Sequence, residues 1–427
     1  SDELRNEKDK SKGELIGHNR AVDFIEAVYS RIKLDYGSKD IQDHKAVVVD
    51  LVEKISKKLG EICDIFVVDR KVDTGSFEKR TKVLQPDEFD YLFLLLIAYD
   101  KTKLKCVDDT LNYDINIGTI KIEDPHLEQQ IKELWDDCAQ EDPSVVLRRK
   151  LGIVHNSMIT NQISKLFWYK VHQALDLLSR EGTLKMEYLG KVHVHPGTPE
   201  LKPGQIRVAV ELGRPCVKLQ VGAPMCITDV DLNFGLEVCT KPKVGRYVLL
   251  PFIKQWDPDQ WWNHNCNYGT ECAHWTVSIY DIPADSPRVK LDQRHQKLVV
   301  FLKYIREVYE IGVSSHALTI IVEQHQMKCK NKHLDECLEM SLYRLDELCT
   351  NPSAVLRDIN FPQVKLIMGG EVKDSQKCRL MIQDMLCILK TTGTDGNWRT
   401  NFKLNSKSKT IKRFERRLRR CSRHWIA

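Results

Sequence analysis

Two acidic residues flank an aromatic residue just ahead of a strongly apolar segment. They are Glu88 and Asp90, in the stretch PDEFD that leads into YLFLLL. Alternate residues of a strand share a face, so both carboxylates point to one side while Phe89 points to the other. A carboxylate that leaves water needs a compensating partner, because its desolvation is otherwise costly. The pair therefore predicts a cation beside this strand.

A third carboxylate is available in the later stretch DVDLNFGLE. Asp229, Asp231 and Asn233 alternate there with apolar residues, which is the pattern of a strand with one polar face. A set of carboxylates without His or Cys is a hard oxygen site suited to Mg²⁺ or Mn²⁺. Two such ions can activate an attacking hydroxyl and steady a leaving pyrophosphate, so the set predicts nucleotidyl transfer.

A Gly-Ser pair supplies a candidate phosphate contact. Gly75 and Ser76 precede Glu88 by eleven intervening residues. Glycine lets the backbone approach a triphosphate closely, and the Ser76 hydroxyl and main-chain N–H groups can hold its oxygens. A lone Gly-Ser pair is typical of an ordinary turn, whereas its spacing from the acid pair is more specific.

Together these motifs resemble the signature of the nucleotidyltransferase superfamily. Their amino-acid sequences are most similar to those of the cyclic GMP–AMP synthase family, which includes the animal cGAS-like receptors. DTGS, PDEFD and DVDLNFGLE stand in the order of that family. YVLLP, HWTVS, LKYIRE and VSSHAL resemble the segments that follow. The resemblance extends over roughly residues 20 to 350.

Roles for individual residues follow from the resemblance alone. It implies that Asp231 is the third acid and that two Mg²⁺ or Mn²⁺ ions are bound. Thr276 stands where the family has an Arg against a base, so the choice of base stays open. The implied catalytic and metal residues are Glu88, Asp90 and Asp231, and the implied nucleotide contacts are Gly75, Ser76, Lys303, Ser315 and His316.

The resemblance also implies an activity. It predicts a nucleic-acid-activated cyclic dinucleotide synthase of innate immune, antiviral signalling, which joins two NTPs and releases pyrophosphate. ATP, GTP or other NTPs are the expected substrates. Two alternatives stay open: a linear oligonucleotide synthase of the oligoadenylate type, and a non-catalytic ligand-binding or scaffold member of the same fold.

A long helix from about Asp43 is predicted by apolar residues at helical spacing. The resemblance implies that this helix is a spine with a basic groove for an activating nucleic acid. Lys54, Lys57 and Lys58 are the predicted contacts, although such a face is more often simply solvated. Double-stranded RNA is the first choice of activator and DNA the second, and a dimer on the nucleic acid is a further expectation.

The family's zinc thumb is missing, because the segment SIYDIPADSPRVKLDQRHQK contains no Cys. His264, Cys266, Cys272 and His274 lie just before it and have the ligand types of tetrahedral zinc. Their spacing matches no zinc module that we can justify. We therefore expect a Trp-rich loop with incidental thiols.

Composition favours a cytoplasmic protein without a membrane partner. The chain has 427 residues, 42% of them hydrophobic, and no apolar run approaches the ~20 residues that cross a bilayer. The fourteen cysteines follow no regular framework, which indicates reduced thiols. A basic tail holds ten Lys and Arg between Lys403 and Arg423 against Glu415, and this predicts a polyanionic partner.

The order of elements is helix, strands, helices, strands and then helices, which predicts an α+β fold. With the resemblance, the expected architecture is bilobal: a mixed β-sheet core with the spine helix, and a C-terminal helical lobe. Strands are expected in CDIFVVD and DYLFLLLIAY, helices at 123–142 and 145–181, and an irregular connection at 352–372. The predicted domains are a flexible leader (1–18), the core (19–290), the helical domain (291–395) and the basic tail (396–427).

Overall fold

The computed structural model divides the chain into two compact units, each described here by itself. The sheet unit comprises the described residues of Asp35–Lys79 and Pro86–Ser286, and the helical unit those of Ser1–Leu34, Arg80–Gln85 and Pro287–Ala427. The structure describes residues 22–23, 25–106, 117–140, 159–195, 197–210, 216–239, 246–251, 274–278, 290–330, 333–351, 353–359, 365–366 and 372–391.

The long helix is present as α1, Lys39–Ile62, and it begins slightly before the predicted start. Ser38 caps it, because its hydroxyl accepts a hydrogen bond from the Ile41 amide at 3.4 Å. The apolar residues at three and four spacing form its buried face, as the periodicity predicts: Val48, Leu51, Val52, Ile55 and Leu59.

The segment CDIFVVD is not the single strand that was predicted. The Cys63 amide still donates to the Leu59 carbonyl at 3.0 Å, and Asp64–Phe66 then forms a 3₁₀ turn. Strand β1 starts only at Val68 and runs to Thr74. Backbone hydrogen bonds at the end of the helix therefore determine the conformation of Asp64–Phe66, although the apolar sequence there is typical of a strand.

The acid pair opens strand β2, Glu88–Leu95, which ends in a 3₁₀ turn rather than continuing to Tyr99 as predicted. Phe89 and Tyr91 are buried, whereas Glu88 and Asp90 are only partly buried. The alternation of faces is therefore as predicted. The other strands of the sheet are β3 (Leu104–Cys106), β4 (Ile117–Ile122), β5 (Glu187–Val192), β6 (Gln205–Ala209), β7 (Val217–Gly222), β8 (Ile227–Cys239), β9 (Arg246–Pro251) and β10 (His274–Val277).

These strands form one ten-stranded mixed sheet. Its main path runs β3-β4-β10-β9-β8-β7-β6-β5, and β2 pairs with both β1 and β8. The β2–β8 and β5–β6 pairs are parallel and the other pairs are antiparallel. The long strand β8 thus lies between β2 and β7 in its first half and reaches β9 with its second half.

Three further helices belong to the sheet unit: α2 (Gly75–Glu78), α3 (Pro125–Gln140) and α4 (Ile159–Arg180). Both long ones confirm predicted helices, while 145–158 lies outside the described residues. An aromatic cluster forms part of the core, in which Phe167 of α4 lies 4.8 Å from Phe234 and 5.4 Å from Phe66 between ring centroids. The apolar face of β8 is thereby buried.

The described part of the helical unit contains four helices after residue 290, which agrees with the predicted C-terminal helical domain. They are α5 (Gln293–Tyr309), α6 (Ser315–Lys328), α7 (Leu334–Thr350) and α8 (Val372–Thr391). Between α7 and α8, Leu356–Arg357 (β11) pairs with Lys365–Leu366 (β12), a detail that the predicted irregular connection did not include.

The helical unit also takes in segments from earlier in the chain. Lys33 and Val83 form an isolated antiparallel β-bridge, and the Leu84 amide donates a hydrogen bond to the Ile32 carbonyl at 2.8 Å. The sequence-based division had placed these residues in the core domain. Such contacts join segments far apart in sequence, which local patterns do not reveal.

Among the residues that the structure describes, no helix combines the length and the apolar character needed to traverse a bilayer.

The protein has a mixed architecture of helices and a mixed sheet, which agrees with the predicted α+β class.

Candidate active site

The three predicted carboxylates lie together. Strands β2 and β8 are parallel neighbours in which Asp90 pairs with Asp231. One ligand oxygen from each of Glu88, Asp90 and Asp231 lies within 4.8 Å of the others. All three residues are partly buried, so the cluster is open to a ligand but less hydrated than a surface group.

Asp229 shares the strand face of Asp231 but has different partners. Its carboxylate binds Lys218 Nζ at 2.8 Å and accepts a hydrogen bond from Gln220 Nε2 at 3.2 Å. Its charge is therefore already compensated by residues of β7. Among the described residues, Asp231 and not Asp229 joins Glu88 and Asp90 in the acidic cluster.

Gly75 lies against the cluster, in a conformation that requires glycine. Its φ is +77°, and a Cβ built there would lie 1.8 Å from Asp90 Oδ2. The neighbouring Thr74 hydroxyl donates to the Asp90 carbonyl at 3.2 Å. The main chain at the start of α2 thus packs directly on the carboxylate, as a phosphate-holding turn beside a metal site requires.

The turn that carries Ser76 is anchored by the residue after it. Phe77 is buried, with its ring centroid 4.3 Å from that of Phe89 and 5.2 Å from that of Tyr36. Lys45 of α1 lies over the Phe77 ring at 5.7 Å and 3.8 Å from Glu78. The long helix and the acid-bearing strand therefore both position this turn.

His44 was not singled out from the sequence, yet it joins three segments around the site. It is fully buried, its Nε2 lies 3.0 Å from the Pro86 carbonyl and 2.9 Å from Thr228 Oγ1, and its Nδ1 accepts from the Met225 amide at 3.2 Å. Burial lowers the pKa of His44, and the Pro86 carbonyl and Asp87 counteract this effect only in part. The neutral ring with the proton on Nε2 satisfies these contacts.

The donor set fits Mg²⁺ or Mn²⁺. It consists of carboxylate oxygens alone, which is the ligand chemistry these hard cations prefer. Asp231 has interactions of its own, but its Oδ1 is buried and accepts no hydrogen bond from the residues that the structure describes. A bound divalent cation would compensate for this.

The remaining predicted nucleotide contacts belong to the helical unit. Lys303 is 5% exposed, and its Nζ donates to Thr81 Oγ1 at 2.7 Å, so it does not lie on a solvated helix face. Ser315 Oγ accepts from Arg306 Nη1 at 2.7 Å. The sequence analysis gives no role to Thr81, which lies in no quoted motif, or to Arg306, although Arg306 is part of the segment LKYIRE.

His316 is the last of the implied nucleotide contacts. In the structure its Nε2 lies 3.4 Å from Oδ2 of the buried Asp358. This carboxylate comes from the segment between α7 and α8, which the sequence reading left without a role.

The three predicted nucleic-acid contacts on α1 differ in their surroundings. Lys54 pairs with Asp50 at 2.7 Å, and Lys58 pairs with both Glu61 and Glu181 at 2.8 and 2.9 Å. Lys57 is exposed and has no ion pair within the part of the chain that the structure describes. It is the one of these three best suited to contact a phosphate.

Several predicted features lie outside the described residues. These include His264, Cys266, Cys272 and the basic tail at 396–427. His274 and Thr276 lie in β10, but their side chains are also outside the description.

Comparison with protein-family models finds no match to this chain, and comparison with curated proteins finds none either.

Proposed function

We propose that this protein is a divalent-metal-dependent nucleotidyltransferase of the cGAS-like receptor type, with the two-lobed fold of that superfamily. One observation carries the proposal: Glu88, Asp90 and Asp231, chosen from the sequence, place ligand oxygens within 4.8 Å of one another. Such a cluster is costly to keep without a cation, because like charges repel and partial burial weakens their hydration. The parallel register of β2 and β8 places Asp90 directly opposite Asp231.

When bound, two Mg²⁺ or Mn²⁺ ions would supply positive charge that stabilises the developing charge on the donor phosphates and lowers the pKa of an acceptor hydroxyl. Glu88 and Asp90 would hold these ions from β2, and Asp231 from β8. Gly75 allows the main chain to approach this point, and Ser76 offers a hydroxyl and an amide to the triphosphate.

The reaction joins two nucleotides. An acceptor hydroxyl oxygen forms a bond to the α-phosphorus of a donor NTP, the bond between the α-phosphorus and the bridging oxygen breaks, and pyrophosphate leaves. The hydroxyl proton passes to Asp231 and then to solvent. Asp231 suits this role because its carboxylate lies in the acidic cluster with Glu88 and Asp90.

The finer assignment comes from the resemblance in sequence. It favours a cyclic dinucleotide made from two NTPs through a linear intermediate, with ATP or GTP as substrates. Lys303, Ser315 and His316 are the proposed further nucleotide contacts. Double-stranded RNA is the proposed activator, ahead of DNA, and Lys57 is the exposed contact on α1.

The test is a product assay with the full chain. The protein is incubated with the four NTPs, Mg²⁺ or Mn²⁺, and either double-stranded RNA, double-stranded DNA or no nucleic acid, and products are identified by chromatography and mass spectrometry. We expect a cyclic dinucleotide that depends on RNA. A linear oligonucleotide product would identify the oligoadenylate-type alternative instead.

Asp231→Asn and Asp229→Asn form a matched pair for this assay. Both remove one carboxylate from the same face of β8, but only Asp231 belongs to the acidic cluster. We expect Asp231→Asn to abolish product and Asp229→Asn to retain most of it. Equal product from Asp231→Asn and the parent would favour the non-catalytic alternative.

A further inference from the structure

A second set of metal-ligand side chains lies in the helical unit. His295, His325, Cys329 and Cys337 each offer one ligand atom, and these four atoms lie within 4.8 Å of one another. His295 is the third residue of α5, His325 lies near the end of α6 with Cys329 just after it, and Cys337 is in the first turn of α7. The set therefore joins the ends of three helices.

The His295 ring is oriented as a metal ligand requires. The side chain is fully buried, and its Nδ1 lies 2.8 Å from Asp292 Oδ1. When Nδ1–H of the neutral ring donates a hydrogen bond to this carboxylate, the lone pair is on Nε2, which is buried and has no hydrogen-bond partner among the described residues. A carboxylate behind a histidine is the usual outer-shell arrangement of zinc sites.

His325 repeats this feature. Its Nε2 is also buried, with no hydrogen-bond partner in the described ranges, and its ring centroid lies 5.4 Å from that of His295. Two buried imidazole nitrogens thus lie close to the two sulfur atoms, and no donor or acceptor from the described part of the chain binds either nitrogen.

The two sulfur atoms have the separation of a shared metal. Cys329 Sγ and Cys337 Sγ are 3.6 Å apart, whereas a disulfide would need about 2.05 Å. Two thiolates at about 2.3 Å from a tetrahedral zinc ion lie about 3.8 Å apart. Arg294 Nη2 also lies 3.5 Å from Cys329 Sγ, where a cation stabilises a thiolate.

The surrounding backbone holds the ligands in place. Asp292 caps α5 by accepting from the His295 amide at 2.8 Å, and its own amide donates to Gln326 Oε1 at 2.9 Å. Gln326 Nε2 in turn donates to the Lys290 carbonyl at 2.8 Å. The start of α5 is thus tied to the end of α6 at a residue next to His325.

We propose that His295, His325, Cys329 and Cys337 bind one structural zinc ion. Two thiolates and two neutral imidazoles balance the charge of Zn²⁺ and fill all four tetrahedral positions, so no open position is left for chemistry. The ion would fasten α5, α6 and α7 to one another. This site is separate from the acidic cluster and from the set at 264–274, and it does not depend on the proposed function.

Zinc content of the purified full chain is the first test. The protein is produced in zinc-containing medium, dialysed against metal-free buffer and analysed by inductively coupled plasma mass spectrometry. We expect one zinc per chain in the parent and the loss of that equivalent in Cys329→Ser/Cys337→Ser. A parent without zinc, or a double variant that keeps it, would overturn the proposal.

Two control variants remove the same number of thiols elsewhere. Cys349 and Cys378 form another close pair in the helical unit, with 3.3 Å between their sulfur atoms. Cys349→Ser/Cys378→Ser and Cys266→Ser/Cys272→Ser should both keep the zinc. If Cys266→Ser/Cys272→Ser loses the zinc while Cys329→Ser/Cys337→Ser keeps it, the zinc is bound by the 264–274 segment and this assignment is refuted.

A second measurement on the parent protein avoids the risk that a variant fails to fold. Replacement of zinc by Co²⁺ should give the visible bands of tetrahedral cobalt together with a sulfur-to-cobalt charge-transfer band. Alkylation mapped by mass spectrometry should label Cys329 and Cys337 only after a chelator is added. Labelling of both at the same rate with and without chelator would contradict the proposal.

Discussion

At the scale of single residues, the candidate active site depends on how closely a backbone can approach a carboxylate. Gly75 has positive φ and leaves no room for a Cβ beside Asp90. Asp229 and Asp231 share a strand face, and Asp229 is bound by Lys218 and Gln220, whereas Asp231 belongs to the acidic cluster. Two neighbouring aspartates therefore have different chemistry because of which side chains lie across the strand.

Gly75→Ala should damage the site in two ways. An alanine at positive φ costs roughly 1 kcal/mol, and its methyl group must also displace Asp90. A displacement of about 1 Å at a catalytic group can lower activity about 100-fold. We expect a loss of that order in product formation, measured as initial rate with saturating NTP.

Gly190→Ala is the control for the backbone strain alone. Gly190 has φ of +81°, and a Cβ there meets nothing within 4 Å. We expect similar destabilisation in thermal unfolding but activity close to that of the parent. If both variants lose activity equally, the close approach of the Gly75 backbone to Asp90 is not the reason why Gly75 is needed for activity.

At the scale of elements, helix α1, the loop before β2 and the start of β8 meet at one buried imidazole. His44 contacts the Pro86 carbonyl, the Met225 amide and Thr228. It thus holds in place the loop that leads into Glu88 and the strand that carries Asp231. We assign it a positioning role rather than a catalytic one.

The sign of its pH effect follows from its pKa. Burial lowers the pKa of His44 below the ordinary 6.5, so the folded state binds a proton more weakly than the unfolded state does. Its contribution to stability is complete above about pH 6.5 and is lost as the pH falls from there toward the folded pKa. The loss is at most about 1.4 kcal/mol per pH unit.

The measurement is the free energy of unfolding in urea between pH 5 and 8. At neutral pH we expect His44→Gln to be less stable than the parent by about 1–3 kcal/mol, because it disturbs buried hydrogen bonds. That difference should shrink as the pH falls. His126→Gln, at an exposed residue of α3, should follow the parent throughout. A constant gap between parent and His44→Gln would contradict the assignment.

The sequence predicts most elements of this fold because their patterns are local. Val48, Leu51 and Leu59 recur at helical spacing, and Phe89 and Tyr91 alternate with the acids. The same alternation shows that Glu88 and Asp90 share a face. The pairing of strands β2 and β8, however, joins segments far apart in sequence, and local patterns do not reveal it. The position of Asp231 beside Glu88 and Asp90 was therefore predicted only from the family resemblance.

Other features escape local patterns for identifiable reasons. The segment CDIFVVD is apolar enough for a strand. The Phe66 amide, however, donates a backbone hydrogen bond to the Cys63 carbonyl, and Asp64–Phe66 forms a 3₁₀ turn. The His and Cys ligands of the proposed zinc site are spread over three helices from 295 to 337, so no compact motif marks them. Lys303 lies on a predicted helix, yet only packing shows that it is buried against Thr81.

At the scale of the whole molecule, the proposed partner is a polyanion, and its contacts should depend on salt. Two of the three lysines predicted on α1 are paired with carboxylates, which leaves Lys57 as the most available of them. Each phosphate contact contributes about one unit to the slope of log affinity against log salt concentration.

Lys57→Ala should therefore weaken binding of double-stranded RNA and reduce that slope by about 1. The measurement is a titration with fluorescent RNA at several salt concentrations. Lys132→Ala removes an equally exposed lysine from α3 and serves as the control. If the two variants weaken RNA binding equally, Lys57 makes no particular contact.

The central claim is that Glu88, Asp90 and Asp231 bind divalent cations together with a nucleotide. The most direct measurement is anomalous X-ray scattering from crystals of the full chain grown with Mn²⁺ and a non-hydrolysable NTP. The account predicts anomalous peaks at coordination distance from oxygens of all three residues. Well-ordered carboxylates without such a peak, with Mn²⁺ bound elsewhere or not at all, would contradict it.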